Sequence, residues 1–304
     1  MITTAFDEST NRDLFKKVLR KLYDNTDRDH PQEWRSVYND IKTKDDFERD
    51  MRIAGLEPCS AVAEGEAIGL QDPTYGSTVT YTQQSFGTGF RITHRMKLTN
   101  KYQLMEKWTR SLAEMMRYGK DIEAAKLWTD PTGATYSYKG FDTLDLAEAA
   151  HTGLATGTGD NYNNLLSSGL STSTLESAYQ YFEELIDDMG HVMPVTPDTV
   201  VFHPRLIITA REIFRSDLKA HEFSNTKNVY DELKLVPYHF LTSTTMWYML
   251  AKNNSKYDVN MFTLMEPDME IRDAPDTTRD TVVLSSQYFT NGYGDPRCVY
   301  CGNT

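Results

Sequence analysis

The chain has 304 residues and a formal net charge of −12 at pH 7, a length that allows one large hydrophobic core or two modest ones. The net negative charge disfavours sequence-independent binding of nucleic acid, because electrostatic binding of phosphates needs clustered Lys and Arg. No window approaches the roughly eighteen apolar residues of a membrane span, and the N-terminus lacks the apolar core of a signal peptide. We therefore expect no membrane segment and a cytosolic origin, with which three unevenly placed cysteines agree.

The first 50 residues predict a helix followed by an arm. Residues 27–50 are charged and only intermittently apolar, so we interpret them as an arm that lies on a neighbouring surface rather than as a core element. The helix is predicted over residues 10–24, because five apolar side chains fall on one stripe with basic residues opposite: Leu14, Phe15, Val18, Leu19 and Leu22.

Residues 57–90 predict two antiparallel strands joined by a long excursion. Val79 and Tyr81 alternate with threonines, and turn residues at Asp72–Pro73 and Gly76 precede them. The segment has no Lys or Arg and few large aliphatic side chains, so it cannot form a core of its own. We expect it to lie against another surface.

A long helix is predicted next. In residues 101–130, Leu104, Trp108 and Met115 recur at helical spacing with charged side chains elsewhere on the wheel, which indicates a helix of about eight turns. The step from Asp130 to proline ends it. We assign the Met, Trp and Tyr stripe of this helix to a core rather than to a cofactor site.

The remainder of the chain indicates an α+β protein, because helices are followed by a run of strands. The elements are, in order, a Gly/Thr/Asn-rich loop over residues 151–172, a helix over 173–188 capped by Ser173 or Thr174, a buried strand over 199–202, a helix that begins at Pro204, and five short strands between residues 233 and 290.

Chemical motifs are incomplete throughout. The glycine-rich run at residues 153–160 lacks the Lys-Ser/Thr ending of a phosphate loop. Cys298 and Cys301 have the spacing of half a zinc site, but a site needs four ligands and Cys59 is the one other cysteine. No His pair has metalloprotease spacing, and no G-x-S-x-G elbow is present. We predict no catalytic residue, no cofactor and no metal.

One catalytic alternative stays open. Glu183, Glu184, Asp187 and Asp188 are most simply the solvated face of a helix, yet a pair of carboxylates is also what glycoside hydrolysis uses. A cytosolic α+β hydrolase is therefore the alternative from another class of protein.

The order of the elements resembles one family. An N-terminal arm, a protruding two-stranded loop, a long helix directly after it, a mixed central region and returning C-terminal strands are similar to the major capsid proteins of tailed bacteriophages, which have the Hong Kong 97 (HK97) fold. The stretch SFGTGFRITHRM resembles the strand that runs into the family's spine helix. LKLVPYHFLTSTTMWYMLA and YGDPRCVYCG resemble the Mu-type head-subunit branch. The resemblance runs from about residue 45 to the end.

This resemblance implies a division of the chain into four parts. They are an N-terminal arm (1–54), an extended loop (55–95), a peripheral domain with the spine helix and long strands (96–131 and 259–304), and an axial domain (132–258) whose tip meets its copies around fivefold and sixfold axes.

The resemblance also implies a function and partners. The chain would self-assemble in the host cytoplasm into pentamers and hexamers of an icosahedral shell, and would enclose double-stranded DNA in the virion without sequence-specific binding. A scaffolding protein, a portal and a decoration protein are the implied partners. An encapsulin-like cellular compartment with the same fold is the second hypothesis.

Contacts between subunits are expected from the extended loop and the arm. Some family members crosslink their shells through a loop lysine, but residues 57–90 contain none, so we expect no such bond. A disulfide between subunits would have to use Cys59, Cys298 or Cys301. The residues expected at subunit contacts are Tyr75, Val79, Tyr81, Phe86, Phe90, Trp34 and Tyr38.

Overall fold

The computed structural model describes residues 8–29, 31–56, 58–59, 61–72, 75–99, 101–153, 161–193, 195–215, 232–252, 258–274 and 279–303, with side chains from residue 14 onward. The helices are α1 (Glu8–Asp29), α2 (His94–Leu98), α3 (Tyr102–Thr129), α4 (Thr172–Glu183) and α5 (Ile207–Phe214). The strands are β1 (Asn39–Lys42), β2 (Phe47–Ile53), β3 (Tyr75–Thr82), β4 (Gln84–Ile92), β5 (Leu165–Leu166), β6 (Pro197–Phe202), β7 (Lys234–Pro237), β8 (Trp247–Ala251), β9 (Val259–Asp273), β10 (Thr281–Tyr293) and β11 (Val299–Gly302). The α+β class and the long helix are confirmed. Most of the glycine-rich run at 153–160 lies outside the described residues.

A four-stranded sheet, in the order β1-β9-β10-β4, is built on the long antiparallel pair β9 and β10. The sequence predicted two short strands where β9 runs unbroken through Pro267. Proline is tolerated there because β1 pairs only with Asn260–Thr263, so beyond Thr263 that side of β9 has no partner strand among the described residues.

Helices α1 and α3 cover one face of this sheet. Leu19 and Tyr23 of α1 and Met105 of α3 pack with Ile92 and Val283 in one buried cluster. The predicted N-terminal helix is thus confirmed and longer than expected. Leu14 and Val18 of the predicted stripe stay exposed, because the buried face is centred on Leu19.

A five-stranded sheet, in the order β5-β11-β8-β6-β7, forms the second half of the molecule, with α4 and α5 packed on it. The N-cap of α4 is Ser171, two residues before Ser173 and three before Thr174, the two predicted caps, and the helix ends at Glu183 instead of the predicted residue 188. The Ser171 side chain accepts from the N–H of Thr174, whose hydroxyl in turn accepts from the N–H of Ser171. The predicted helix start at Pro204 is confirmed as a short 3-10 turn, Pro204–Leu206, that continues into α5.

The largest core cluster joins the two sheets, and it corrects the interpretation of residues 27–50 as an arm without core residues. Trp34, Val37 and Tyr38 lie in this cluster with Trp128 and Tyr248. The Tyr38 hydroxyl donates to the carbonyl of Ala124 on α3 at 2.7 Å. A few large aromatic side chains anchor this segment although its composition is mostly charged.

Candidate subunit-contact surface

Strands β2 and β3 with the connecting residues 54–72 form a protruding structure that we call the ribbon. The two strands pair antiparallel from Phe47 opposite Thr82 to Ile53 opposite Tyr75. No third strand pairs with them among the described residues. A two-stranded sheet is marginal without further contacts, so the ribbon depends on what its faces touch.

The prediction that both strands lie within residues 57–90 was wrong. The ribbon begins at Phe47, whereas β4 leaves it and pairs with β10 over nine residues. A single residue, Gln83, separates β3 from β4, which is too short for a hairpin turn.

The inner face of the ribbon is fixed to its own chain. Tyr81 is buried, lies 4.8 Å from the Phe262 ring between centroids, and covers Gly292, where any Cβ would come within 2.5 Å of the tyrosine ring. The Ser77 hydroxyl donates to the carbonyl of Phe141. Because successive side chains of a strand point to opposite faces, Ser77 and Tyr81 lie on the same face of β3, and this face is turned toward the body of the chain.

A buried ion network continues this attachment. Arg52 of β2 donates through Nε to Asp188 at 2.7 Å and forms a second bond with it through Nη2. Arg297 donates to the same carboxylate at 2.5 Å and to Asp295 at 3.1 Å. Burial alone would raise the pKa of Asp188, but the two guanidinium groups outweigh it and lower this pKa. The network ties the ribbon to the segment after α4 and to the C-terminal region.

The outer face of the ribbon is apolar and exposed. Phe47, Ile53 and Tyr75 are 53%, 54% and 64% exposed, and Met51 lies between them. Arg49 lies over the Phe47 ring at 5.9 Å. In the connecting segment Leu70 is 97% exposed. Large apolar side chains grouped in this way mark a surface for another molecule, unlike single exposed ones.

The structure separates the residues that the sequence assigned to subunit contacts. Tyr75 is exposed and Val79 is half-buried, both on the ribbon. Tyr81 belongs to the inner face. Phe86 stacks on Phe289 at 4.4 Å, and Phe90 meets Trp108 edge to face at 5.6 Å.

Trp34 and Tyr38 lie in the largest core cluster of their own chain, with side chains that are closed off from the surface. The aromatic character of these two residues therefore reflects core packing, and of the seven residues predicted at subunit contacts Tyr75 on the outer face of the ribbon is the large hydrophobic residue that is exposed.

Phe47, Met51 and Ile53 were missed by sequence reasoning. In the stretch FERDMRI, Phe47, Met51 and Ile53 stand at positions of one parity, which is the period of two typical of a strand, and Arg49 is the one charged residue in that series. This signal was present, but the surrounding charge led to its assignment to the arm.

The cysteines lie in different environments. Cys59 is exposed in the ribbon's connecting segment, whereas Cys298 and Cys301 are buried. Burial raises the pKa of Cys301 to about 12, which keeps it a protonated thiol. The described residues contain no group of three or more His, Cys, Asp or Glu side chains arranged for a metal ion. A disulfide between subunits that uses Cys298 or Cys301 would need these buried groups to become exposed.

No described helix is long and apolar enough to cross a membrane.

Comparison with known proteins identifies the family. Residues 76–302, about three quarters of the chain, match the family model described as phage capsid protein. No curated protein sequence matches the chain.

Solved structures share the fold at low identity. The capsid of the cyanophage P-SCSP1u aligns with a TM-score of 0.57 and 12% identity over 88% of this chain and 87% of that one. The head of Helicobacter pylori bacteriophage KHP40 aligns with 0.55 and 10% over 90% and 91%. A virus-like particle from Pyrococcus furiosus aligns with 0.51 and 8% over 94% and 98%.

The chain belongs to the phage capsid protein family and has the HK97-like fold. It is a shell protein of the virion. The narrower assignment to the Mu-type branch stays a prediction.

Proposed function

We propose that this chain builds an icosahedral shell of pentamers and hexamers in which the ribbon of each subunit lies across its neighbour. The observation that carries the proposal is the outer face of the ribbon, where Phe47, Met51, Ile53 and Tyr75 form an apolar surface that no other described residue covers. Removing apolar area from water contributes about 25 cal/mol per Å² to an interface, and the loss of translational and side-chain freedom on association opposes this gain. A shell engages each subunit with several neighbours at once, so each contact can be individually weak.

The proposal assigns the parts of the chain to the divisions that the family resemblance implies. The ribbon is the extended loop, α3 with β9 and β10 forms the peripheral domain, and the five-stranded sheet with α4 and α5 forms the axial domain. In this assignment three boundaries differ from the expected ones. The extended loop begins at Phe47 instead of residue 55 and ends at Thr82 instead of residue 95, so that β4 joins the peripheral sheet. Residues 299–302 belong with the axial part, because β11 pairs with β8.

The partners follow from the same role. A scaffolding protein, a portal and a decoration protein complete the shell, and double-stranded DNA is enclosed without sequence-specific contacts. The net charge of −12 is compatible with a container wall, because enclosure requires no basic grip on phosphates. Assembly takes place in the host cytoplasm.

The proposed role is mechanical rather than catalytic. In the hydrolase alternative, Asp187 and Asp188 would form a carboxylate pair. Asp188 is held between two arginines, and Asp187 accepts from the backbone N–H groups of Met189 and His191 at 2.8 Å. Although burial acts to raise it, the pKa of each carboxyl is lowered by these hydrogen bonds, which is opposite to what a general acid needs.

The encapsulin-like alternative shares the fold and differs in cargo. The family match favours a phage shell. Terminase and portal genes beside the coding sequence would support the phage assignment, and an enzyme cargo gene in their place would support the cellular compartment.

Electron microscopy of the purified chain tests the proposal. The wild-type chain, with and without a co-expressed candidate scaffold, is expected to form shells, tubes or rings of five and six subunits. A triple variant, Phe47→Ser with Ile53→Ser and Tyr75→Ser, should stay folded by circular dichroism and fail to assemble, because it loses the apolar outer face.

The matched control changes three neighbouring outer-face positions without removing large apolar groups: Thr78→Ser, Thr80→Ser and Thr82→Ser. This control should assemble like the wild type. Assembly of the Phe47, Ile53 and Tyr75 variant at wild-type yield would contradict the role of the ribbon, and a wild-type chain that stays monomeric in every condition would contradict the shell.

A further inference from the structure

Three acidic residues lie where the ribbon joins the body of the chain, a region that we call the root. None of them belongs to the apolar outer face of the ribbon. Asp258 stands directly before β9, Asp295 follows β10, and Asp50 lies on the inner side of β2. The Asp258 carboxylate accepts the backbone N–H of Asp295, and its carbonyl accepts the N–H of Gly294 at 3.2 Å. Tyr81 of β3 packs on Gly292, two residues before Gly294, so Asp258 lies close to the place where the ribbon meets the body of the chain.

The surroundings of Asp258 disfavour a negative charge. Gly294 packs so closely that a Cβ there would come 2.9 Å from Oδ2 of Asp258. Burial, opposed by the Asp295 N–H and assisted by the charges of Asp295 and Asp50, raises the pKa of Asp258 to about 7. Within the described residues the titratable groups that face it are Asp50 on β2, Asp295 after β10, and the Tyr81 hydroxyl on β3, which is buried without a hydrogen-bond partner in that part of the chain.

The buried network leaves no positive charge for Asp258 among the described residues. Arg52 and Arg297 offset Asp188 and Asp295 in the buried network. An ionised Asp258 adds a negative charge for which the described residues show no cationic partner. That charge acts across the joint on the carboxylate that the ribbon itself carries.

We propose that proton binding at Asp258 fastens the ribbon to the body of the chain and that proton release loosens it. The root closes over a neutral carboxyl, whereas an ionised one repels Asp50 and draws water into the joint. The inference concerns the attachment of the ribbon to its own chain, so it holds whether or not the ribbon contacts a second subunit.

The sign of the pH effect follows from linkage. The docked ribbon holds the Asp258 proton up to about pH 7, whereas an opened root returns this carboxyl toward its ordinary pKa of 3.8. Docking is therefore strongest at acidic pH and weakens as the pH rises to about 7, by at most about tenfold per pH unit. Above that pH the Asp258 contribution is lost and the dependence levels off.

Hydrogen exchange on the full-length unassembled chain tests the proposal. The readout is the protection of amides in residues 50–53 and 79–82 between pH 4.5 and 8, corrected for intrinsic exchange. In the wild type this protection should fall up to about tenfold per unit and level off near pH 7. Asp258→Asn is permanently neutral, so its protection should be flat and should exceed that of the wild type at pH 7.5.

Asp268→Asn is the control, because this exposed β9 carboxylate pairs with Arg20 away from the joint; it should keep the wild-type pH dependence. Asp50→Asn removes one of the charges that raise the pKa of Asp258, so it should move the levelling-off to a lower pH; this variant decides the question if Asp258→Asn does not fold. Wild-type protection that is independent of pH, an Asp258→Asn profile with the wild-type slope, or an Asp50→Asn profile identical to that of the wild type would each overturn the proposal.

Discussion

Asp188 shows how a single side chain holds three distant segments together. It lies between Arg52 of the ribbon and Arg297 near the C-terminus, and all three side chains are buried. A carboxylate in this position is stable only with its partners, because an unpaired buried charge costs several kcal/mol. The contribution of this group also has a definite pH sign. Since the folded pKa of Asp188 is lowered, its stabilisation is present above the ordinary carboxyl pKa and is lost as the pH falls through the folded value.

Replacing this carboxylate should destabilise the chain more than replacing an exposed one. Asp188→Asn leaves two buried guanidinium groups without a counter-charge at their centre, and we expect a loss of about 3–5 kcal/mol in the free energy of unfolding. The control, Asp198→Asn, weakens a solvent-accessible ion pair with Lys252 and should cost under about 1 kcal/mol. Urea denaturation of the unassembled chain at pH 7 gives both values, and equal losses would contradict the bridging role.

At the scale of single elements, the start of α4 shows that local sequence predicts the approximate position of a helix but not its capping residue. The sequence placed the start of α4 close to its true position but chose Ser173 or Thr174 as the cap. The structure selects Ser171, because Thr174 stands three residues later and returns the second hydrogen bond of the capping box. Serines and threonines at four successive positions offer several equivalent caps, and only the packing of Leu175, Ala178 and Phe182 fixes the register.

Replacing Ser171 and Ser173 separately by alanine tests which of the two serines caps α4. Ser171→Ala removes the side chain that accepts from the Thr174 N–H and should cost about 1 kcal/mol of unfolding free energy. Ser173→Ala should cost no more than a few tenths, because this residue is already inside the helix. Thermal or urea unfolding distinguishes them, and a larger loss at Ser173 would restore the cap predicted from the sequence.

Strands were predicted less well than helices for a physical reason. The periodic stripe of α3 is a local property, so the sequence contained it in full. The assignment of β2 depended on its partner, because Phe47–Ile53 is charged at every second position and becomes a strand by pairing with β3, about 30 residues later. The burial of Trp34 and Tyr38 likewise depends on α3 and β8, which no local pattern reveals.

On the scale of the whole molecule, the two sheets share one core and the ribbon projects from it. The largest cluster contains residues from β8 and from β9, so the two sheets are expected to move as one body. Among the described residues the ribbon is attached through its inner face, and its connecting segment is exposed at every described position from Gly55 to Asp72. This contrast predicts that assembly changes the accessibility of the ribbon more than that of the core.

Limited proteolysis should report this change. A glutamate-specific protease is expected to cut the unassembled chain after Glu64 or Glu66, which are both exposed, and to cut assembled shells much more slowly. Trypsin serves as the control, because residues 53–90 contain no Lys or Arg and no tryptic cut is expected there in either state. Equal cleavage at these glutamates in free chains and shells would show that a neighbour leaves the segment uncovered.

The position of β11 has a consequence for synthesis on the ribosome. This strand lies between β5 and β8, inside the sheet rather than at its edge, and all four of its residues are buried. The gap that it fills stays open until residues 299–302 have left the exit tunnel, so β5 must wait for a partner made more than 130 residues later. A nascent subunit therefore cannot complete its fold early, and polysome-bound chains are kept from joining a growing shell before translation reaches this strand.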